Sequence, residues 1–551
     1  MHCRSSAVTS LSLLISLQLS PSSCFAFQPH ASALANKEQL GLGINRQSFL
    51  KSKSIVNLQV RGGETELQAT SDENSEPVVD KSRKSPPPQP TLKDLFNFAL
   101  PCLGLWISNP LLSLIDTAAV GLTAKPGMGA AELGALGPAT TFIDGSTYLF
   151  AFLNVATTNL YASALAKNAD NEEESKLATD AVVRTATKIA LICGFGIMGL
   201  LFWKGQFLLK LYVGEQASKQ ILTPATEYVH IRALSMPTSL LAGVLQAALL
   251  GAKDSVTPLV AVAASSITNI FGDGFLVVLL KWGTAGAAIA TTAAQWAGTT
   301  ALWNPARQKL FVKASPEQKS KHKVTSKSFL GFAAPVLTLI LGKLAAFGFM
   351  THVAAALPAE AALASHQIVL SLFFFLSPFL EVISQTAQTF LPQFYINKAD
   401  AFRSEAQILA GRLLRLGVTA GAGIALIAAS IPRFFPFILT NDPLVQSSVK
   451  PLALPLFLGG LLTAPVAVSE GILLARRELN YLAGVYVLST ILFPFGLLKL
   501  KSGSGPVSNV WYGFVLFQLF RATCFTGKIW GAPLLKKVTA KMGLSKTEAT
   551  N

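Results

Sequence analysis

Leu111-Leu-Ser-Leu-Ile-Asp-Thr-Ala-Ala-Val-Gly121 and Ser266-Ile-Thr-Asn-Ile-Phe-Gly-Asp-Gly-Phe-Leu-Val-Val-Leu279 each set an aspartate, Asp116 and Asp273, inside a long apolar run. A charge at the centre of a bilayer costs at least ~2.5–3.5 kcal/mol, so such groups face a cavity or a partner. A carboxylate can answer that cost by binding a proton or a cation, which is how a membrane protein couples to an ion gradient. The two residues point to a transporter.

Composition agrees. Of 551 residues, 51% are hydrophobic and 13% charged, against about 25% charged in soluble proteins. Apolar runs long enough to cross the ~30 Å hydrocarbon core recur along the chain. About twelve such spans fall near 95–120, 134–163, 181–203, 225–250, 257–281, 283–303, 329–356, 361–394, 408–431, 447–475, 480–500 and 508–531. The fold class expected is an all-α polytopic membrane protein.

A net charge of +16 would suit nucleic acid, but its distribution argues against that partner. The loop joining spans six and seven holds Arg307, Lys309, Lys313, Lys319, Lys321, Lys323 and Lys327. The segment after span eight adds Lys398, Arg403, Arg412 and Arg415, and the tail adds Lys536, Lys537, Lys541 and Lys546. The opposite loops are poorer in basic residues. This positive-inside pattern puts both termini and the central loop on one face, which requires an even span count. The cysteines Cys3, Cys24, Cys102, Cys193 and Cys524 have no metal-site or disulfide spacing.

Residues 1–26 read as a secretory signal, with Arg4, an apolar stretch from Ala7 to Leu19, Pro21, and small residues at Cys24 and Ala26. Residues 27–93 follow as a transit peptide and disordered linker. Lys37, Arg46, Lys51, Lys53 and Arg61 there face the single acid Glu38 up to about residue 63. Phe27 at the join makes the pair resemble the bipartite plastid presequences of algae; an ordinary secretory signal with a disordered tail is the alternative. The remaining units expected are a six-helix half over 94–303, a basic connecting loop over 304–328, a second six-helix half over 329–532, and a basic tail over 533–551.

The halves repeat. Phe98-Ala-Leu-Pro101 matches Phe332-Ala-Ala-Pro335, and Val244-Leu-Gln-Ala-Ala-Leu-Leu-Gly-Ala-Lys-Asp254 matches Val468-Ser-Glu-Gly-Ile-Leu-Leu-Ala-Arg-Arg-Glu478. Gln295 then falls opposite Gln518, giving offsets of 234, 224 and 223 residues in the same order along the chain. Corresponding helices run the same way, so the halves are parallel pseudo-repeats about an axis along the membrane normal. Transporters built so hold substrate between the repeats near the midplane.

These motifs resemble the MATE (multidrug and toxic compound extrusion) family over about residues 92–532. Ile115-Asp-Thr-Ala-Ala-Val-Gly121 is similar to the first-helix motif of the DinF-like branch, and Asn269-Ile-Phe-Gly-Asp273 to the fifth-helix pattern. Gly283-Thr-Ala-Gly-Ala-Ala-Ile-Ala-Thr-Thr292 resembles the sixth-helix start, and Ala364-Ser-His-Gln-Ile368 the eighth. Leu136-Gly-Pro-Ala-Thr-Thr-Phe-Ile-Asp144, Phe152-Leu-Asn-Val-Ala-Thr-Thr-Asn159, Ser384-Gln-Thr-Ala-Gln-Thr-Phe-Leu-Pro392 and Glu470-Gly-Ile-Leu-Leu-Ala-Arg476 bring the chain nearer to plant plastid-envelope carriers. The resemblance implies a monomeric antiporter without a cofactor, exporting a small organic solute, such as an aromatic organic acid, across a plastid envelope membrane in exchange for H⁺ or Na⁺.

It also implies that Asp116, Asn269 and Asp273 form a cation site. Asn269 and Asp273 are four residues apart and share a helix face. The competing reading is carboxylates satisfied by hydroxyls such as Thr117 or Thr268. Asp144 in span two either joins the cluster or sits near its mouth. The second half carries Lys343, Glu381, Glu470 and Arg521, either a structural salt-bridge network or a substrate site. Gln246, Gln295, Gln367, Gln385, Gln388 and Gln518 serve as substrate ligands or interhelical glue. Pro101 and Pro110 mark weak points in the first helix.

Two other classes compete. An intramembrane aspartyl protease needs Gly-x-Gly-Asp, and Ile270-Phe-Gly-Asp273 lacks the first Gly; a prenyltransferase needs Asp-rich clusters that the spans lack. A flippase for a lipid or lipid-linked precursor needs a cationic groove open to lipid, whereas only Lys343 and Arg521 read clearly as intramembrane cations.

Overall fold

The computed structural model describes residues 85–123, 129–213, 219–313, 315, 318, 322, 324–357, 361–440, 442–501 and 505–541. The expected signal and transit segments lie outside the described residues.

The first half contains α1 (Leu92–Thr123), α2 (Gly129–Tyr148), α3 (Ala151–Lys167) and α4 (Glu172–Val213). It continues with α5 (Lys219–Ala233), α6 (Met236–Gly251), α7 (Val256–Gly272) and α8 (Gly283–Leu310). The second half contains α9 (Ser326–Ala355), α10 (Ala362–Phe390), α11 (Asp400–Phe434) and the short α12 (Pro443–Val449). It ends with α13 (Ala453–Ala475), α14 (Leu479–Lys501) and α15 (Ser508–Lys541). No strand occurs among the described residues.

Nine spans among the described residues are long and apolar enough to cross a membrane, and the bent α5–α6 pair makes ten. α8 and α15 bring the bundle to twelve; Thr, Gln and Arg side chains lower their hydropathy. Large apolar side chains on the outer faces, such as Ile192, Phe195, Trp203 and Leu211 of α4, are exposed, as a lipid-facing surface requires.

Three spans are irregular. The second breaks at residues 149–150 between α2 and α3. The fourth bends by 52° between α5 and α6. There Pro237 follows the first residue of α6, a position where the missing N–H costs no helix bond. The fifth passes into a π-helical turn, Asp273–Leu279, that begins at the aspartate itself. α1 runs unbroken through Pro101 and Pro110.

The repeat is visible in matching bonds. Ser239 on α6 donates to Gln295 on α8 at 2.7 Å, and Gln518 on α15 donates to Thr463 on α13 at 2.6 Å. The glutamines thus join the same helix pair in each half. The halves meet where α1 packs on α10 and α9 packs on α3. Phe98 meets Phe390 edge to face, with ring centroids 5.4 Å apart. Asn159 donates to Gln388 at 3.1 Å, a buried amide pair formed by related helices of the two halves.

The basic connecting loop is fastened to α4. Asp180 accepts from the Val312 backbone N–H at 2.9 Å, and Thr185 donates to the Val324 carbonyl at 3.1 Å. The end of the proline-rich segment also packs, since Gln89 donates to the Glu405 carboxylate at 2.6 Å.

Candidate functional site

Asp116 and Asp273 are both buried and come together although 157 residues separate them. Their carboxyl groups lie within hydrogen-bonding reach of each other, and Asn269 reaches Asp116 as well. Asn269 donates to Asp273 at 3.3 Å across one helix turn. The Thr291 hydroxyl on α8 lies 3.3 Å from Asp116 and shares its one proton with the Ala287 carbonyl at 2.8 Å. Gly272 permits this approach, because a Cβ there would meet the Ala290 Cβ at 2.8 Å. Thr117 and Thr268 bond instead to the carbonyls of Ser113 and Ala264, so the hydroxyl next to the carboxylates is Thr291.

One oxygen on each of Asp116, Asn269 and Asp273 (Oδ1 in every case) is buried with no hydrogen-bond partner. An unsatisfied buried acceptor costs about 1–3 kcal/mol, so three in one cluster call for an electropositive guest. An all-oxygen set suits a hard cation or a proton shared between the carboxyls.

Asp144 stands beside the cluster. Its side chain is 68% exposed, 3.7 Å from the buried guanidinium of Arg232 on α5. That exposure, within electrostatic reach of the buried Asp116, places it on the wall of a cleft open to water. Tyr148, one turn further along α2, is also exposed and lies within electrostatic reach of Glu381, Lys343 and Glu470 of the other half. Asp144 and Tyr148 therefore face the second half across the cleft. The lobes meet at Phe98–Phe390 and Asn159–Gln388, so the cleft opens away from that seam.

The charges of the second half form one network centred on Glu470. Lys343 lies 3.0 Å from Glu470 and 3.5 Å from Glu381. Tyr486 donates to Glu470 at 2.6 Å, and Arg521 lies 3.7 Å from the same carboxylate. Arg521 also stacks over the Tyr486 ring at 4.0 Å and donates to Gln518 at 3.1 Å. Glu470 and Arg521 are buried, whereas Lys343 and Glu381 are about one-third exposed and line the cleft. The four formal charges cancel.

Arg232, Tyr148 and Tyr486 escaped the sequence reading. Arg232 is a further intramembrane cation beside Lys343 and Arg521, buried within the fourth span. It lies inside the span expected over 225–250, but beside Glu227 and His230 its charge was not singled out. Tyr148 carried a usable signal, namely its four-residue spacing from Asp144. At the offsets of the repeat, Asp116 and Asp273 correspond to Met350 and Leu497, both buried. The C-terminal charges thus occupy other positions than the carboxylates of the first half.

Comparison with known proteins identifies the family. The MatE family model matches residues 101–273. The chain is 32% identical over 431 residues to Protein DETOXIFICATION 47, chloroplastic, of Arabidopsis thaliana, covering 78% of this chain and 76% of the relative. It is 34% identical over 208 residues to the DNA damage-inducible protein F of Escherichia coli, covering 37% of this chain and 42% of that protein. A crystal structure of MATE in the straight conformation superposes with a TM-score of 0.68 at 16% identity, covering 81% of this chain and 97% of the other. The chain belongs to the MATE family and is a twelve-helix transporter, not an enzyme.

Proposed function

We propose that the protein is an antiporter that exports a small organic solute in exchange for H⁺ or Na⁺ across a plastid membrane. The observation that supports this most is the convergence of unpartnered oxygens from Asp116, Asn269 and Asp273. Two buried carboxylates at this separation repel when both are ionised, so cation uptake stabilises their approach. Release of the cation drives Asp116 on α1 and Asp273, at the π turn that follows α7, apart. Motion of α1 then alters its contact with α10 of the other half, and the cleft changes the face to which it opens.

The solute is read from the cleft. Lys343 offers an ammonium at the wall, and Tyr148 offers an aromatic ring opposite. An aromatic organic acid suits both, its carboxylate on Lys343 and its ring on Tyr148. The chloroplastic relative supports the plastid assignment. Reconstitution in proteoliposomes under imposed ΔpH or ΔNa⁺ provides the test. Asp273→Asn is expected to abolish gradient-driven transport while leaving solute binding measurable. Unchanged gradient-driven transport by this variant would remove Asp273 from the coupling mechanism.

A further inference from the structure

Arg232 stands in the last turn of α5, at the break of the fourth span. The Ser235 N–H and hydroxyl both bond to its carbonyl, at 3.0 and 2.7 Å. The break therefore seats a cation at a helix C-terminus, where backbone carbonyls favour it. The side chain is buried, yet Nε and Nη1 have no hydrogen-bond partner. A buried charge is ordinarily paired and fully hydrogen-bonded, because removing it from water is costly.

The groups around this guanidinium come from several helices. α2 supplies Asp144, 3.7 Å from Nη2 and itself mostly exposed in the cleft. α5 supplies the buried Tyr228, one turn earlier, whose hydroxyl lies within hydrogen-bonding reach of Arg232. α1 supplies Asp116, within electrostatic reach of the guanidinium and carrying an unpartnered Oδ1. α8 contributes hydroxyls, Thr291 at Asp116 and Thr292 at 3.3 Å from the Ile231 carbonyl. α4 holds His230 by stacking Phe202 on its ring at 5.7 Å. Buried donors without acceptors thus stand near buried acceptors without donors, in the same half of the molecule.

We propose that Arg232 is a tethered counter-cation, a positioning residue that competes with the coupling ion for the carboxylates of the first half. The inference rests on the reading of Asp116, Asn269 and Asp273 as the ion site. In the arrangement seen, the guanidinium leans on Asp144 at the cleft wall. When the ion leaves, the charge uncovered on Asp116 draws the guanidinium inward, and Nε and Nη1 meet the oxygens that the ion released. The returning ion displaces it to Asp144. An arginine suits this exchange because its planar fork can address two oxygens and keeps its charge in both states.

The test uses the full chain purified in detergent, with Tm followed by tryptophan fluorescence. NaCl is titrated against choline chloride at constant ionic strength and mildly alkaline pH; in a second series pH is lowered without Na⁺. Stabilisation by either ion defines a midpoint. Arg232→Gln removes the competitor, so its midpoint is expected at about tenfold lower Na⁺, or about one pH unit higher, while Arg232→Lys stays near the parent. Asp144→Asn releases the guanidinium toward Asp116 and moves the midpoint the other way. In the double variant Arg232→Gln/Asp144→Asn that second shift shrinks, because it acts through the guanidinium. A merely structural role would lower Tm equally at every ion concentration and leave the midpoint in place. Unchanged midpoints in Arg232→Gln, or additive shifts in the double variant, overturn the proposal. Asp273→Asn separates the two readings. If it keeps the parent midpoint, or if the parent gains no stability from either ion, the ion site itself falls. If it loses the response while Arg232→Gln keeps the parent midpoint, Arg232 alone is removed.

Discussion

Glu470 shows how a single buried carboxylate organises its surroundings. Lys343, Tyr486 and Arg521 all address it, so its loss leaves Arg521 with aromatic faces and Gln518 alone. Removing one partner of a buried charge set costs about 3–5 kcal/mol, because the other charge stays desolvated. Glu381 is part-exposed and, among the described residues, pairs with Lys343 at 3.5 Å, so its loss costs about 1 kcal/mol or less. Glu470→Gln should therefore lower the Tm in detergent well below that of Glu381→Gln, and an equal or reversed order would show that the network is not centred on Glu470. The cluster of the first half follows the same logic with acceptors in place of donors. Asp116, Asn269 and Asp273 were legible in sequence because a carboxylate in an apolar run is costly wherever the helix is placed. Arg232 was not, because its partner Asp144 comes from another span and its own segment is only partly apolar.

Helix ends and helix contacts decide where those residues stand. Asp254 caps α7, accepting from the Thr257 N–H at 3.0 Å and from Lys309 at 2.5 Å. Burial alone would raise its pKa, but the bonds from Lys309 and Thr257 outweigh that and hold it below the ordinary carboxylate range. A carboxylate depressed by folding adds stability above its unfolded pKa of about 3.9, and that stability is lost as pH falls through the folded value. Asp254→Asn should therefore cost about 1 kcal/mol at neutral pH. Its Tm gap from the parent should narrow steadily as pH falls below about 4, and a gap that stays constant contradicts a charged cap. Along α11 and α13, small residues repeat every fourth position: Gly417, Gly421 and Ala425 face Gly460, Ala464 and Val468. A Cβ on Gly421 would meet the Ala464 Cβ at 2.6 Å, whereas one on Gly423 meets nothing within 4 Å. Gly421→Ala should destabilise by about 1–3 kcal/mol as the helices are forced apart, and Gly423→Ala should be neutral in the same thermal assay. The spans were legible because lipid imposes apolarity along a whole helix. The breaks at 149–150 and 234–235 were not, since both interrupt runs whose hydropathy continues. The π turn at Asp273 has no local signal, because it depends on how α7 meets α1 and α8.

At the scale of the whole molecule, two related six-helix lobes meet along one seam and diverge around a cleft. The seam holds α1 on α10 and α9 on α3, with the Asn159–Gln388 amide pair buried between the halves. Short matches such as Phe98-Ala-Leu-Pro101 with Phe332-Ala-Ala-Pro335 made the duplication readable, but they say nothing of how far the lobes separate. That separation depends on contacts between halves, which no single segment records. Alternating access requires the seam to open when the cleft closes, so a covalent tie across it must stop the cycle. Asn159→Cys with Gln388→Cys puts two thiols where amide groups now span 3.1 Å. Cysteine is shorter than either amide side chain, so a short bifunctional thiol reagent is used to span the gap. Cross-linking is expected to abolish transport in proteoliposomes, and cleaving a reducible linker to restore it. Single-cysteine variants treated alike control for Cys102, Cys193 and Cys524. Full transport by the cross-linked protein would mean that the lobes do not part along this seam, and the cycle would then have to run through bending within one half, where α1 and the broken α2–α3 and α5–α6 spans meet the carboxylates.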